Sequence, residues 1–320
     1  MMDAKSPSMS ALRTSGPPAL VLGTMNFGKR TNERDSIEII RRALGEGVTA
    51  FDTANIYCEG ESERILGKGL GADRARVSVA TKVGAWKGEG LKPERVKTAL
   101  SESLTRLGMD HVDIYYLHVP DHATPLKETL AGMKDLIASG AARAWGVSNY
   151  ASWQILDMCA IADEIGLARP VIAQQLYNLV HRELDIEHFA WKRAHPIHLT
   201  VYNALAGGLL TDRHTDKRAE KGSRLDTNPL YRRRYVTDVM FERAADLREL
   251  AKKHGLSLVE LAYAFLGTRK EIDSVLVGPA NLSQLEAAMK GVARELPPAC
   301  VTELEQVYRT WMGTDTHYVR

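Results

Sequence analysis

The sequence contains few cysteines and no long apolar run. Cys58, Cys159 and Cys300 are the three cysteines among 320 residues. Their odd number and wide spacing give neither a disulfide framework nor a metal-ligand pattern, so we expect no bound metal and a reducing compartment, the cytoplasm. No apolar run approaches the ~20 residues of a membrane-spanning helix, so we expect no membrane segment.

An excess of charge of one sign is also missing. The chain has 42 Lys and Arg against 40 Asp and Glu, a formal net charge of +2. This balance does not favour binding to nucleic acid or to an anionic membrane. The local basic run from Arg232 to Arg234 is accompanied by no recognised nucleic-acid module. We therefore expect neither a nucleic-acid partner nor a membrane partner.

Residues 1–18 are rich in Ser, Ala and Pro and lack the apolar core of a signal peptide. They are predicted to form a flexible N-terminal arm, with a trimmed organelle-targeting sequence as the alternative. No Gly/Ser-rich linker interrupts residues 19–320, which are predicted to form one domain.

Within that domain, short β-branched runs alternate with amphipathic helical segments. This alternation predicts an α/β fold with a parallel sheet and crossover helices. Eight such units in one chain predict a closed (β/α)8 TIM barrel. The eight predicted strands are Ala19–Leu22, Ala50–Asp52, Val77–Lys82, Ile114–His118, Ala144–Ser148, Val171–Gln174, His198–Tyr202 and Ser274–Val277.

Several helix boundaries are also marked. Pro93 suits the first turn of a helix that ends before Gly108. Ser257 with Glu260 is typical of a capping box, and Asn281 with Gln284 indicates another helix start. After the seventh strand, the polar and basic stretch Asp212–Tyr235 predicts a long irregular excursion with a functional or mobile role.

Four polar residues stand at or just after the ends of three predicted strands: Asp52, Tyr57, Lys82 and His118. The carboxyl ends of barrel strands converge on one face, where these side chains would meet. Lys82 could lower the pKa of the Tyr57 phenol, and Asp52 could fix Lys82. His118 could orient a carbonyl group. Each residue alone has an ordinary structural explanation, but the joint spacing suits proton transfer to a carbonyl oxygen.

The chain resembles the aldo-keto reductases over nearly its whole length. The matching stretches are Leu22–Met25, Phe51–Ala54 with Tyr57, Glu61–Glu63 with Leu66–Gly67, Lys82, Tyr116–His118, Gly146–Asn149, Gln174 and Tyr177–Asn178. Three further stretches are similar to the aflatoxin-aldehyde and succinic-semialdehyde reductase branch: His118–Pro125, Tyr202–Thr211 and Tyr318–Arg320.

The resemblance implies NADPH-dependent reduction of aldehydes, ketones or dicarbonyls to alcohols. Tyr57 would be the general acid/base, with Lys82 and Asp52 tuning it and His118 orienting the substrate. No GxGxxG follows the first strand, so the cofactor is expected across the barrel mouth rather than in a Rossmann site. The branch also implies a monomer or a homodimer.

The same resemblance assigns residues to each part of the cofactor. Ser148, Asn149 and Gln174 would bind the nicotinamide amide, and Tyr202 would stack on its ring. The glycine-containing stretch after the seventh strand would approach the pyrophosphate, and the helix start after the eighth would take the adenosine phosphate. The residues concerned are Leu205, Gly207, Gly208, Leu210 and Arg213, then Gly278, Asn281 and Gln284.

Near the position of Gln284 many family members carry an arginine that pairs with the 2′-phosphate of NADPH. Arg213 or Arg224 could supply that charge here, and NADPH remains the expected cofactor over NADH. For the substrate pocket we expect Met25, Trp86 and Asn203, with Trp145 as either lining or core. Arg320 could clamp a substrate carboxylate if the C-terminal tail folds over the mouth.

Two other functions are compatible with part of this pattern. Potassium-channel β subunits share the implied fold and cofactor, and act largely as binding and redox-sensing modules with little turnover. A lyase or aldolase would use Lys82 as a Schiff-base nucleophile. Such a lysine needs a lowered pKa, whereas a nearby Asp52 would raise it. The reductase function is therefore favoured.

Overall fold

The computed structural model describes residues 11–214 and 218–313. Eight parallel strands form a closed barrel in the order β1 to β8, with β1 also paired to β8. The (β/α)8 prediction is confirmed, and each predicted strand is present within two residues of its predicted ends. The strands are β1 Ala19–Gly23, β2 Ala50–Asp52, β3 Ser78–Val83, β4 Val112–Leu117, β5 Ala142–Ser148, β6 Ile172–Leu176, β7 His198–Tyr202 and β8 Ser274–Val277.

Helices surround the barrel and connect its strands. Their bounds are α1 Glu33–Gly45, α2 Glu61–Leu70, α3 Pro93–Leu107, α4 Leu126–Ala138, α5 Ser152–Ile165, α6 His188–Ala194, α7 Arg224–Thr227, α8 Pro229–Tyr235, α9 Asp238–Lys253, α10 Leu258–Gly267, α11 Leu282–Ala293 and α12 Pro298–Met312. In the described part of the chain, no helix combines the length and apolarity needed to cross a membrane.

Local sequence signals explain many helix ends. Pro93 opens α3, and Gly108 follows its last residue in a left-handed conformation, with φ of 63°. The Ser257–Glu260 capping box is present at α10. At α11 the Asn281 side chain is the cap and accepts a hydrogen bond from the backbone N–H of Gln284. These predictions are confirmed.

The excursion between β7 and α9 differs from its prediction. It contains two short helices, α7 and α8, rather than irregular chain throughout. Ser223 caps α7, while Asn228 caps α8 and Pro229 occupies its first turn. These caps lie in a polar and strongly basic stretch, and a prediction based on that composition alone does not detect the two helices.

The hydrophobic core lies mainly between the strands and the helices. Strands β3 and β4 are buried along their whole length, so they pack on both faces. Inside the barrel a smaller apolar layer is formed by Val21, Ala80, Ile114, Tyr116 and Ile172. Polar side chains lie above this layer towards the carboxyl ends of the strands, which positions the candidate site.

The described part of the predicted N-terminal arm contacts the opposite end of the barrel. The Ala11 carbonyl oxygen lies 2.6 Å from His198 Nδ1. The Arg13 backbone N–H donates to Asp273 Oδ1 at 2.7 Å, and its guanidinium donates to the Arg269 carbonyl. Residues 11–13 therefore contact the base of the barrel, away from the site.

Candidate active site

A buried ion pair forms the centre of the site. Asp52 ends β2 and Lys82 lies near the end of β3, and both side chains are fully buried. Lys82 Nζ donates to Asp52 Oδ1 and, at 2.8 Å, to the Thr53 carbonyl. Burial lowers the pKa of Lys82 and raises the pKa of Asp52, and their mutual attraction opposes both shifts. The pair holds the ammonium group in a fixed place.

Tyr57 lies beside this pair at the start of a tight turn. Lys82 Nζ is 5.3 Å from the centroid of the Tyr57 ring. Burial, and then the Asp52 carboxylate, raise the pKa of Tyr57 well above its ordinary value. The net pKa of Tyr57 is therefore raised, whereas the sequence analysis expected Lys82 to lower it. At neutral pH the phenol is therefore protonated.

His118 directly follows β4 and faces Tyr57. The two rings are T-shaped, with centroids 6.1 Å apart. Burial, and then the Lys82 charge, lower the pKa of His118 to about 3. Its buried Nδ1 has no hydrogen-bond partner among residues 11–214 and 218–313. A neutral imidazole can donate one hydrogen bond to a carbonyl oxygen without carrying charge.

These groups open onto a cavity of about 690 Å³ at the barrel mouth. The acid/base residues come from the ends of β2, β3 and β4, and the predicted cofactor residues come from the ends of β5 to β8. The Gln174 amide nitrogen donates to Asp52 Oδ2 at 3.0 Å and joins the two halves. The predicted residues that line the cavity are Met25, Asp52, Tyr57, His118, Ser148, Asn149, Gln174, Tyr202, Asn203, Leu205, Gly207, Gly208, Arg213, Gly278, Asn281 and Gln284.

Some predicted site residues lie elsewhere. Leu210 is fully buried and is not part of the cavity wall. Trp86, in the loop after β3, also does not line the cavity. Trp145 belongs to the core, where its indole N–H donates to the Ala168 carbonyl at 2.6 Å. Arg320 lies outside the described residues.

The polar groups after β5 are already ordered by one another. Asn149 has φ of 66°, a left-handed conformation that asparagine tolerates better than most residues. Its amide nitrogen donates to Ser148 Oγ at 3.0 Å and to the His118 carbonyl at 2.9 Å. The Tyr202 hydroxyl donates to Asn149 Oδ1 at 2.6 Å. These contacts present hydroxyl and amide groups to the cavity, and such groups suit a carboxamide ligand.

Gly207 allows α8 to approach the cavity closely. Its φ is 72°, and a Cβ at this position would lie 2.4 Å from Cδ1 of Tyr231. The Asn203 side chain fixes the same turn, because its Oδ1 accepts from the Gly207 N–H at 2.7 Å. The absence of a side chain at Gly207 therefore brings the Tyr231 ring to the cavity wall.

Three arginines converge on the far end of the cavity. Arg30, Arg213 and Arg224 all line it. Burial, and then Arg224 and Arg213, lower the pKa of Arg30. In the described ranges no carboxylate lies within ion-pair distance of Arg30 or Arg224, and the Arg213–Glu220 contact is 4.0 Å long. A cluster of this kind favours an anionic ligand.

The arginine cluster lies next to the start of α11. The Arg224 guanidinium donates to Asn26 Oδ1 at 2.5 Å, and the Asn26 amide donates to the Gly278 carbonyl at 2.8 Å. Gln284 Oε1 accepts from the Ala280 N–H at 2.8 Å, so this side chain completes the helix cap. Positive charge near this turn comes from Arg30, Arg213 and Arg224.

Several lining residues escaped the sequence analysis. Asn26 and Arg30 follow β1, while Tyr231 and Arg234 belong to α8. For Tyr231 and Arg234 the available signal was the basic character of residues 212–235, which did not show which side chains face the cavity. Within the described residues, no three His, Cys, Asp or Glu side chains are placed to hold a metal ion.

Comparisons with known proteins agree with this geometry. A model described as "Aldo/keto reductase family" matches residues 19–309. The chain is 35% identical to human "Aflatoxin B1 aldehyde reductase member 2", covering 98% of this chain and 94% of that protein. It is 34% identical to human "Aldo-keto reductase family 7 member A3", covering 98% and 100%. An Arabidopsis thaliana "Probable voltage-gated potassium channel subunit beta" is 30% identical, covering 89% and 91%.

Proposed function

Because this chain belongs to the Aldo/keto reductase family, we propose that it reduces aldehydes, ketones or dicarbonyls to alcohols with NADPH. Family membership makes it an oxidoreductase of carbonyl compounds that uses a nicotinamide cofactor. The observation that carries the finer proposal is the arrangement around Tyr57. A protonated phenol and a neutral imidazole border one cavity, and the Lys82–Asp52 pair lies behind the phenol.

The residues present fit a nicotinamide cofactor. Ser148, Asn149 and Gln174 would hold the carboxamide, and Tyr202 would pack on the ring. The three arginines near α11 would take the phosphate groups, which favours NADPH over NADH. Arg30 and Arg224 thereby supply the charge that Gln284 lacks.

When bound, the cofactor supplies a hydride to the carbonyl carbon. The neutral His118 imidazole orients the carbonyl oxygen by a hydrogen bond, and the Tyr57 phenol transfers its proton to that oxygen. The phenolate that remains on Tyr57 is stabilised by the Lys82 ammonium, which Asp52 and the Thr53 carbonyl hold in place. Each charge that develops during reduction therefore faces a preorganised group.

The walls of the cavity suit apolar or planar aldehydes. Met25 and Tyr231 are part of the lining, together with the Tyr57 ring itself. The name of one human relative contains the words "aldehyde reductase", which supports an aldehyde as the substrate class here.

The test is loss of nicotinamide absorbance with purified protein, one aromatic aldehyde and one carboxylated aldehyde, using NADPH and NADH in parallel. We expect turnover of at least one aldehyde, with NADPH preferred. Turnover with NADH alone would contradict the cofactor assignment. Absence of turnover with both cofactors on both aldehydes would contradict the reductase proposal.

The similarity to a channel β subunit supports one alternative, a cofactor-binding module that senses redox state. That function predicts tight NADPH retention with very slow turnover. The enzyme is favoured because Asp52, Tyr57 and His118 line one cavity and Lys82 is bonded to Asp52. A fluorescence titration with NADPH, run beside the turnover assay, separates the two: tight binding without turnover would favour the module.

A further inference from the structure

A buried ion pair outside the cavity is not used by the mechanism above. Glu63 of α2 is fully buried, and Arg106 of α3 donates from Nε to Glu63 Oε2 at 2.6 Å. Thr81 Oγ1 donates to the other carboxylate oxygen of Glu63 at 2.6 Å. Burying a charge is costly unless it is paired and hydrogen-bonded, so a pair in this place calls for an explanation.

Glu63 is hydrogen-bonded through Thr81 to β3, the strand that carries Lys82. Thr81 and Lys82 are neighbours in β3, and neighbouring side chains of a strand point to opposite faces. Glu63 therefore fixes the outer face of β3 where Lys82 points inward. Burial lowers the pKa of Lys82, whereas Asp52 and then Glu63 raise it. The Glu63 carboxylate thus favours the charged form of the lysine.

Arg106 contacts the turn that carries Tyr57. The three residues after Tyr57 all have positive φ, with 48° at Cys58, 57° at Glu59 and 89° at Gly60. A Cβ on Gly60 would lie 2.5 Å from Cδ of Arg106. The Arg106 side chain therefore fills the space beside this left-handed turn, and a side chain at position 60 would meet it.

We propose that Glu63 and Arg106 are positioning residues, which hold the Tyr57 turn against the Lys82 strand. This inference rests on the proposed reductase function, because the two groups it aligns are the proton donor and the cation behind it. Glu63 contacts the strand that carries Lys82, and Arg106 contacts the turn that carries Tyr57. A shift of Glu63 or Arg106 would therefore change the distance from the Tyr57 phenol to the Lys82 ammonium.

The main test is Glu63→Gln, which keeps the side-chain shape and removes the charge. We expect kcat for aldehyde reduction to fall by about tenfold or more, because small misplacements of reacting groups cost rate steeply. The KM for the aldehyde and the Kd for NADPH are expected to stay unchanged, since neither residue lines the cavity.

The pH profile provides a readout that a purely structural role would not change. Without the Glu63 charge, burial is less strongly opposed and Lys82 should lose its proton at lower pH. The alkaline limb of kcat should therefore move to lower pH in Glu63→Gln. The other charged or titratable groups that act on Lys82 or lie beside it stay in place: Asp52, Tyr57, Tyr116 and His118.

Glu61→Gln is the matched control on the same helix. Glu61 forms an exposed pair with Arg64 at 3.2 Å, so this variant should keep the wild-type kcat and pH profile. A milder series uses Thr81, in case Glu63→Gln does not fold. Thr81→Val replaces the hydroxyl that binds Glu63 with a methyl group and should lower kcat. Thr81→Ser keeps the hydroxyl and should keep the wild-type kcat.

Wild-type turnover is measured first. Its absence would contradict the proposed function. If the wild type turns over, the inference is overturned by a Glu63→Gln enzyme that has lower thermal stability but the kcat and alkaline limb of the wild type. If that variant does not fold, wild-type kcat in Thr81→Val overturns it equally.

Discussion

At neutral pH Tyr57 is a phenol, because burial and the Asp52 carboxylate both disfavour the phenolate. Lys82 does not cancel this upward shift of the pKa, since its ammonium group is paired with Asp52. Its value comes once the proton has left, when a phenolate beside an ammonium is more stable than a phenolate alone. The residue is therefore set up to give a proton, which is the requirement of carbonyl reduction.

Tyr57→Phe removes the hydroxyl group that carries this proton and keeps the aromatic ring. We expect kcat to fall by about 10²- to 10⁴-fold, the usual contribution of a general acid, while the Kd for NADPH is kept. Tyr150→Phe is the control, because its hydroxyl binds the Val119 carbonyl and does not line the cavity. Wild-type turnover in Tyr57→Phe would remove Tyr57 from the acid role.

Protonation of His118 should produce no acid limb in the pH profile of kcat above pH 5. Its pKa is lowered to about 3, so the imidazole stays neutral as pH falls from 8 to 5 and gains a proton only well below that range. We expect kcat to be flat with respect to His118 between pH 8 and 5, measured with saturating NADPH and aldehyde. An acid limb near pH 6.5 that disappears in His118→Asn would show a charged catalytic imidazole instead.

Among the elements, helices α2 and α3 approach each other closely at Gly67. Gly67 lies in α2, and a Cβ there would be 1.9 Å from the Leu107 carbonyl oxygen at the end of α3. Because backbone cannot move as a side-chain end can, this approach fixes the spacing of the two helices that carry Glu63 and Arg106.

Gly67→Ala should destabilise the protein although alanine is the better helix former. The propensity gain is about 1 kcal/mol, whereas overpacking against backbone typically costs about 1–3 kcal/mol or more. Gly45→Ala at the end of α1 is the control, because nothing lies within 4 Å of its added Cβ. Urea unfolding measures both, and equal midpoints for the two variants would contradict the close contact.

The elements also show what the sequence could reveal. The caps at Ser257 and Asn281 depend on residues three positions away, so they were predictable from short spacing. Asp52, Lys82 and His118 were found because the barrel brings all strand ends to one face. The Glu63–Arg106 contact spans 43 positions, and the approach of Tyr231 to the cavity depends on the packing of α8. No local pattern encodes such contacts.

For the molecule as a whole, a nearly neutral chain carries a locally cationic cavity. The formal net charge is +2, yet Arg30, Arg213 and Arg224 face one another around the cavity end beside α11. Like charges held close together repel one another, so an anionic ligand that binds only the folded state should stabilise the protein markedly.

NADPH is therefore expected to raise the thermal midpoint more than NADH at equal concentration. The difference should shrink as salt rises from about 50 mM to about 500 mM, because screening weakens partly exposed charges. Arg30→Gln with Arg224→Gln should reduce the NADPH advantage, and the exposed Arg64→Gln should not. Equal stabilisation by both cofactors in the wild type would contradict a phosphate-binding role.

The barrel divides its work between two halves. The acid/base groups follow strands β2 to β4. The groups assigned to the cofactor follow strands β5 to β8, with Arg30 after β1, and the Gln174–Asp52 hydrogen bond is a direct side-chain link between the two sets. In evolutionary terms, this division would let coenzyme preference change in one half while the proton chemistry of the other half is kept. A glutamine at position 284, with arginines elsewhere around the cavity, is compatible with this arrangement.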